Sequence, residues 1–318
     1  MLHHFTRSIA HIALPDKFTY PFHYTPHPLC VMAADEVQVY LQHQAQWQDE
    51  LQQGKMFGIL IVQTTEGEIG YLAAFSGILA GKNTHPYFVP PIYDLLQPDG
   101  FFKKEEEHIS AINHRIRELE EDTSYQKCRQ ALEEETARCS RLLSQAKAKL
   151  KAAKELRDCR RQTEQLSESE QAAMIRESQF QKAELKRLER NLKEHLSSLQ
   201  KETDTYVSQI EALKNERKSR SATLQQQLFE QFRLLNARGE VKDLCSIFAH
   251  TVHKIPPAGA GECAAPKLLQ YAYSHHYRPV AMAEFWWGNS PKAEIRHHGH
   301  YYPACKGKCE PILHHMLQ

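Results

Sequence analysis

The feature that most constrains this chain is a long stretch without glycine or proline, which runs from Phe101 to Arg238. All 13 glycines and all 15 prolines lie outside this stretch. Glycine and proline are the strongest helix breakers, and the stretch is rich in Glu, Lys, Arg, Gln, Leu and Ala, which favour helix. We therefore predict that residues 101–238 form a helical region.

Apolar side chains recur in this region at the spacing of a coiled coil. In its second half, one position of a seven-residue repeat is occupied in turn by Leu185, Leu192, Leu199, Tyr206 and Leu213. A second apolar line, four residues later in the repeat, is interrupted by polar side chains. Apolar spacing near 3.5 residues with charged neighbours predicts a coiled coil with an imperfect seam.

A break in the helical region is expected, because one straight helix of this length would extend for about 200 Å. Residues 161–171 are polar apart from Leu166, and Ser167 or Ser169 is suited to cap a second helix. We predict two arms of roughly 60 residues that pack antiparallel and bring the two ends of the chain together. A parallel homodimeric rod is the alternative.

Residues 1–100 carry a mixed pattern of helix and strand. An amphipathic helix is predicted over residues 33–51. Two apolar runs follow, residues 56–62 and 69–75, and they predict a β-hairpin with Gly67 at its turn.

Residues 239–318 have another order of elements. A helix is predicted from Cys263, a strand over residues 278–288, and a closing helix from Cys309. The predicted fold class is therefore α+β, with two small mixed α/β end segments, 1–100 and 239–318, joined by an antiparallel coiled-coil helical hairpin, 101–238.

Charge and composition limit the partners and the compartment. The net charge is +1, from 40 basic and 39 acidic residues, so any basic patch must be local. The start of the chain has no long apolar core of a targeting signal, and no apolar run is long enough to cross a bilayer. We predict a cytoplasmic protein without a membrane partner, in which closely spaced cysteines suggest metal binding or burial before disulfides.

Three cysteines of the last segment are the candidate metal ligands. Cys263 stands at one predicted helix start, and Cys305 and Cys309 stand at another. The positive end of a helix dipole favours thiolate, and thiolates bind soft metals. A structural zinc is the cofactor that these residues suggest, while the alternative is a set of buried, reduced thiols; no other cofactor is implied.

A second group of residues in the last segment has the chemistry of RNA contact. Aromatic rings stack on unpaired bases, and cations neutralise phosphates. Because successive strand residues face opposite sides, at least one of the two neighbouring tryptophans is expected to be buried. The candidates for RNA contact or for a polar pocket are Lys267, Trp286, Trp287, Lys292, Arg296, His297, His298 and His300. Glu262 and Glu284 are further candidates for the polar pocket.

The helix–strand–helix order of this segment resembles the core of zinc-dependent nucleoside and nucleic-acid deaminases. That family has a proton-transferring Glu two residues after the first zinc ligand, whereas Ala265 follows Cys263 here. The family also has two residues between its paired cysteines, and this chain has three. We expect such a module to be inactive as a deaminase.

Four stretches look like the amino-terminal part of long bacterial RluA-type pseudouridine synthases, which isomerise uridine in ribosomal RNA. The resemblance implies a pseudouridine synthase by name, but that family's nucleophilic Asp lies in an H-R-L-D motif of a separate catalytic domain. The nearest string here, residues 114–117, reads H-R-I-R, so we predict no catalytic residue. The four stretches are YPFHYTPHPLC, FGILIVQTTEGEIGYLAAFSG, GAGECAAPKLLQYAY and AMAEFWWGNSPKAEIRHHGHYYPACKGKCEPILHHML.

Three hypotheses about function follow. The leading one, which rests on the resemblance, is an accessory region that contacts ribosomal RNA or a downstream catalytic domain of the same enzyme. The second is an inactive zinc-binding module of the deaminase type. The third is a coiled-coil interaction scaffold.

Overall fold

The computed structural model describes residues 1–252, 254–292 and 294–318. The chain divides into two compact units. The end unit consists of Met1–Glu106 with Ser221–Gln318, and the helical unit consists of Glu107–Arg220. The two end segments, predicted as separate pieces, thus belong to one folded unit.

The predicted α+β class is confirmed, with long helices and a small antiparallel sheet. A short 3₁₀ turn lies between the first two α-helices. In chain order the helices and strands are α1 (Pro28–Gln42), α2 (Gln48–Gln52), β1 (Lys55–Gln63), β2 (Ile69–Phe75), α3 (Phe101–Glu121), α4 (Thr123–Thr163), α5 (Glu168–Gln231), β3 (Arg233–Leu235), β4 (Val241–Asp243), α6 (Leu244–Phe248), α7 (Ala264–Ser274), β5 (Arg278–Trp287) and α8 (Cys309–Met316).

The main sheet of the end unit joins the two ends of the sequence. Its order is β2-β1-β5, and both pairings are antiparallel. The β1–β2 hairpin is as predicted, with Gly67 at the turn in a left-handed conformation (φ 89°). On its other edge β1 pairs with β5, and Gly58 lies opposite Glu284. Pairing across more than two hundred residues therefore holds the unit together.

Both faces of this sheet are buried, which explains why its strands are apolar almost without interruption. Phe57, Ile59 and Ile61 of β1 pack in one cluster with the buried side of α1. Leu60 and Val62 point the other way and pack in a second cluster with α7 and α8. Burial of each such side chain stabilises the fold by roughly 1.5–3 kcal/mol.

Gly58 allows α7 to approach β1 closely. A Cβ atom at this position would lie 2.8 Å from the Cβ of Ala264 and 2.9 Å from the Cδ1 of Leu268. Ordinary side-chain contacts are longer, so a larger residue would push the start of α7 away from the sheet. Glycine here fixes the height of α7 above β1.

The first helix differs from the prediction over residues 33–51. α1 begins at Pro28, where the His27 side chain accepts a hydrogen bond from the Leu29 N–H (3.3 Å), and it ends at Gln42. The amide of Gln48 donates to the carbonyls of Leu41 and Gln44 near the helix end (3.0 and 3.1 Å). Such side-chain bonds satisfy terminal carbonyls and allow the helix to stop.

The predicted antiparallel hairpin is confirmed in the helical unit, where α5 pairs with α4. The ring of His195 lies 3.1 Å from the carboxylate of Glu135, and the guanidinium of Arg157 donates to Gln181 (2.8 Å). Position numbers on α4 thus rise as those on α5 fall, which is the mark of antiparallel packing. The two arms pair with each other within one chain.

The seam between the arms is thin, as the imperfect repeat predicts. Leu192 is buried, while Leu185, Leu199 and Tyr206 are half-buried. Another small cluster combines Ile116 and Leu119 with Ile210, and the half-buried Ile112, Tyr125 and Leu213 pack against it. Packing of this amphipathic face, more than helix propensity, stabilises long surface helices.

Two helix ends were not predicted. The helical stretch ends at Gln231, seven residues before Arg238, because Arg233–Leu235 pair with Val241–Asp243 as a small sheet. A second break falls at Asp122, whose carboxylate accepts the N–H groups of Ser124 and Tyr125 (2.7 and 3.1 Å) as an N-cap. The lack of glycine and proline excludes neither kind of end.

No helix in the described part of the chain combines the length and the apolar character needed to span a bilayer.

The turn of the helical hairpin depends on a capping box. Ser167 donates its backbone N–H to the carboxylate of Glu170 (2.8 Å), and the Glu170 N–H reaches the Ser167 hydroxyl (3.4 Å). We predict that Ser167→Ala destabilises the start of α5 by about 1 kcal/mol, so amides of Glu170 and Gln171 exchange roughly fivefold faster.

Hydrogen exchange measured by NMR checks this prediction. Ser144→Ala is the matched control, because Ser144 is exposed in the middle of α4, where alanine favours helix. Equal exchange rates at Glu170 in the Ser167→Ala variant and the wild type would show that the cap is not formed.

Candidate metal centre

Three thiols from distant parts of the sequence meet in the end unit. The sulfur atoms of Cys263, Cys305 and Cys309 all lie within 4.8 Å of one another. Cys263 is the N-cap of α7, Cys309 is the first residue of α8, and Cys305 lies in the loop just before it. The three cysteines predicted from the sequence as metal ligands are thus brought together.

The start of α7 is fixed by bonds from both sides. The N–H of Ala264 donates to the hydroxyl of Ser76 (3.2 Å), and the N–H of Ala265 donates to the carboxylate of Glu284 (3.2 Å). The carbonyl of Glu262 accepts the N–H of Gly77 (3.0 Å). These bonds tie Cys263 to the β1–β2–β5 sheet.

The start of α8 is positioned by packing against α7. Ile312, Leu313 and Met316 are fully buried in the cluster that also contains Leu268 and Leu269 of α7. The N–H of Cys309 donates to the carbonyl of Cys305 (3.2 Å), which closes the turn that carries both thiols. The two helix starts therefore face the same small volume.

The electrostatics of the cluster concentrate negative charge on one sulfur. The pKa of Cys305 is lowered because the thiols of Cys263 and Cys309 hydrogen-bond to its sulfur, with further bonds from the backbone of Lys308 and Cys309. The pKa values of Cys263 and Cys309 are raised, first of all by these same thiol hydrogen bonds. Hydrogen bonding among the three thiols favours a thiolate within the cluster, and thiolate is the form of cysteine that binds a metal.

Glu284, a predicted candidate for a polar pocket, is a buried carboxyl beside this cluster. Its side chain is only 4% exposed. Burial raises its pKa to about 7, and the nearby charge of Cys305 also raises it. In the sequence, Glu284 is the single acidic residue of the apolar strand VAMAEFWW. A carboxyl group in a buried strand needs a hydrogen-bond partner, so this pattern indicates a polar contact in the core.

The cluster fits a soft metal in ligand type and nearly in distance. Zinc–sulfur bonds of about 2.3 Å in a tetrahedral site place sulfur atoms about 3.8 Å apart, so small side-chain rotations would suffice. No fourth His, Cys, Asp or Glu of the described residues joins the group. Because Cys305 is exposed, solvent can reach the cluster from its side and supply the fourth ligand.

The two neighbouring tryptophans point to opposite faces, as predicted. Trp287 is only 7% exposed and packs in the α1 cluster with Phe285. Trp286 is half-buried, and its indole N–H donates to the carbonyl of Asn289 (2.9 Å). Of the pair, Trp286 alone presents a surface for an external ligand.

Lys267, another predicted RNA contact, lies in the interior and is 3% exposed. Its amine donates to the carbonyl of Phe75 (2.9 Å) and lies 4.9 Å from the centre of the Phe75 ring. Burial lowers its pKa to about 8. The amine therefore faces the protein interior, away from any surface ligand, and Lys267 does not belong to an RNA-contacting surface.

The remaining predicted contacts lie on one loop of the end unit. The guanidinium of Arg296 lies over the rings of Trp286 (5.4 Å) and Tyr302 (5.2 Å) and pairs with Glu294 (2.8 Å). The structure brings cationic and aromatic groups together here, and we name Trp286 with residues 292 and 294–302 the aromatic loop. Its exposed predicted contacts are Lys292, His297, His298 and His300.

Comparisons of the chain with protein-family models, with curated proteins and with solved structures gave no match. Conclusions about function therefore depend on the geometry of the chain itself and on the resemblance of its sequence.

The metal centre is testable by replacing one buried ligand. We predict that the wild-type chain, purified with zinc supplied, holds about one zinc and that Cys309→Ser loses most of it, because hydroxyl is a poor ligand for zinc. Metal content by mass spectrometry checks this. The intensity of thiolate-to-cobalt absorbance after cobalt substitution should correspond to three thiolates.

The matched control is Cys159→Ser, since Cys159 is an exposed thiol of α4. It should retain the metal. Cys305→Ser is a second test at an exposed ligand, where serine is tolerated by the core. If the wild type holds no zinc, or if Cys309→Ser and Cys305→Ser hold as much zinc as the wild type, the cluster is a set of reduced thiols only.

Proposed function

We propose that this chain is the non-catalytic, RNA-contacting region of an RluA-type pseudouridine synthase acting on ribosomal RNA. A separate catalytic domain would supply the nucleophilic aspartate. The proposal is supported by the place of the four resembling stretches, which all fall in the end unit and supply its three-stranded sheet, α7 and α8. Sequence that is distant along the chain thus builds one body.

The observation that carries the RNA contact is the aromatic loop. Trp286 is partly exposed and stacks with Arg296, and both groups can contribute stacking or cation–π contact to an unpaired base. The neighbouring Lys292 and His297 are exposed and can approach phosphates. A protein that contacts rRNA loops needs such a combination of flat and cationic groups.

We further infer that the three-cysteine centre holds a structural zinc. Such an ion would join the start of α7 to the start of α8 and so stabilise the end unit. Three thiolates would give a zinc centre a net negative charge. The residues of this chain would bind the ion and shield it, and none is assigned a proton-transfer step.

A second candidate is an inactive module of the deaminase type. It is favoured by the order α7–β5–α8 with thiols at both helix starts. Ala265 stands where that family has its proton-transferring Glu, which argues against deamination. Either function is compatible with the cytosolic location that we propose from the sequence.

The RNA contact is tested with Trp286→Ala. Stacking contributes about 1–3 kcal/mol per base, so we predict that the variant binds a single-stranded rRNA fragment roughly tenfold more weakly than the wild type. Fluorescence anisotropy at fixed salt measures the affinity. Lys292→Glu, at an exposed position, gives a second reading that does not depend on the core.

Tyr20→Ala is the matched control, because Tyr20 is an aromatic residue of the same unit with 60% exposure. Its affinity should equal that of the wild type. A second arm measures tritium release from uridine-labelled rRNA, which this chain alone should not support. Unchanged affinity in both aromatic-loop variants, or robust tritium release, would contradict the proposal.

A further inference from the structure

The distal half of α4 carries a concentration of positive charge that the balanced composition conceals. Between Lys147 and Arg161 there are seven Lys or Arg residues and only two Asp or Glu residues, whereas the whole chain has a net charge of +1. The earlier part of α4 contains the acidic run Glu133–Glu135 instead. Charge is therefore segregated along α4.

Five of these cations, together with Lys182 of α5, line a groove between α4 and α5 with a volume of about 400 Å³. One acidic residue, Asp158, is among its lining residues. We name this surface the basic groove. Its cationic residues are Lys147, Lys151, Lys154, Arg157, Arg161 and Lys182.

The spacing of the cations forms a line along one face of α4. Lys147, Lys151, Lys154 and Arg161 recur at intervals of whole helical turns, so they cover about 21 Å of the groove at about 1.5 Å per residue. Arg157 differs from them, since it is 6% exposed and bonds to Gln181 across the seam. Arg157 holds the two arms together, and the others face solvent.

Internal pairing leaves much of this charge available. Lys147 and Lys151 lie 3.3 and 3.9 Å from Glu189 and Glu155, but the lysine side chains are 60% and 80% exposed, and such pairs contribute little. Arg161 also pairs with Asp158 (3.4 Å), and both of these side chains are 45% exposed. Lys154 and Lys182 are exposed. The groove therefore keeps a positive potential toward solvent.

Helix stability explains only part of this pattern. Arg160 and Arg161 lie in the last turn of α4, where cations complement the negative end of the helix dipole. That effect falls off within one turn, and Lys154 lies more than two turns from Thr163, where the helix ends. The helix dipole therefore does not explain why Lys147, Lys151 and Lys154 are positively charged residues.

We propose that the basic groove binds the phosphate backbone of RNA. A line of cations along a groove fits a linear polyanion such as a nucleic-acid backbone. Lysine ammonium groups bind phosphates as point charges without reading sequence. The choice of RNA as the polyanion rests on the proposed function, while the groove is a surface separate from the aromatic loop.

The test compares two triple variants with the same change in net charge. Lys151→Gln/Lys154→Gln/Lys182→Gln removes three groove cations. Lys193→Gln/Lys201→Gln/Lys218→Gln is the control, because these lysines are exposed on α5 outside the groove. Circular dichroism should give the same helix content for both variants.

Affinity for a double-stranded RNA fragment is measured over a range of potassium chloride concentrations. The groove variant should bind at least about tenfold more weakly at low salt, and its slope of log affinity against log salt should be smaller by about 2, since each phosphate contact contributes about 0.7–0.9. The control should stay within about twofold of the wild type.

Three outcomes would overturn the proposal. The control could lose as much affinity as the groove variant, and the loss of RNA affinity would then come from the change in net charge alone. The groove variant could bind like the wild type. Polyglutamate or phosphatidylserine vesicles could bind as tightly as RNA with the same loss in the groove variant. If the groove variant loses affinity and Trp286→Ala does not, the result supports RNA binding by the groove and contradicts RNA contact by the aromatic loop. If Trp286→Ala loses affinity and the groove variant does not, the result supports the aromatic loop and contradicts the groove.

Discussion

The end unit depends on the antiparallel pairing of β1 with β5. This pairing joins a strand that ends at Gln63 to a strand that begins at Arg278, and it makes β1 the central strand of the sheet. Non-local pairing of this kind must overcome the entropy of closing a long loop. The antiparallel pairing of α4 with α5 lowers this cost, because the two arms of a hairpin begin and end near each other. Burial of the apolar faces of β1 then makes the strand pairing favourable.

The candidate site follows from this pairing. β5 carries Glu284, and its carboxylate accepts the N–H of Ala265 in the first turn of α7, where Cys263 is the N-cap. Gly58 on the neighbouring strand lets α7 lie close enough for that bond. Without β5 in the sheet, the start of α7 would lose the bond from Ala265 to Glu284 that ties Cys263 to the sheet. The metal centre and the aromatic loop after β5 therefore depend on one and the same register.

Much of this architecture could be predicted from the sequence because it depends on local signals. The lack of glycine and proline predicts the long helices, the polar segment around Ser167 predicts their turn, and Gly67 between two apolar runs predicts the β1–β2 hairpin. Cysteines at predicted helix starts were enough to predict the cluster. The signals that failed are non-local or ambiguous. In the sequence, the helix cap Asp122 is not distinguishable from the other acidic residues of this highly charged region.

Burial determines which of the cationic side chains are available to a ligand, and the sequence alone does not show this. Lys267 is a candidate RNA contact by its positive charge. Its amine nevertheless donates to interior carbonyls, because the face of α7 that carries it packs against the sheet. The basic groove shows the opposite case, in which cations scattered through a charged helix become one surface only when α5 lies beside α4. Helical periodicity locates the face, but the partner helix decides which cations line the groove.

The most direct test of the account is the register between β1 and β5. We predict cross-strand nuclear Overhauser effects between the backbone protons of Gly58 and Glu284 and of Ile59 and Ala283 in an isotope-labelled, protonated sample of the intact chain. One pair should show an amide–amide contact and the other an Hα–Hα contact, because directly opposed residues of antiparallel strands alternate between hydrogen-bonded and non-hydrogen-bonded pairs. Absence of these effects, or effects that place β5 against another strand, would contradict the joining of the two ends and with it the assembly of the site.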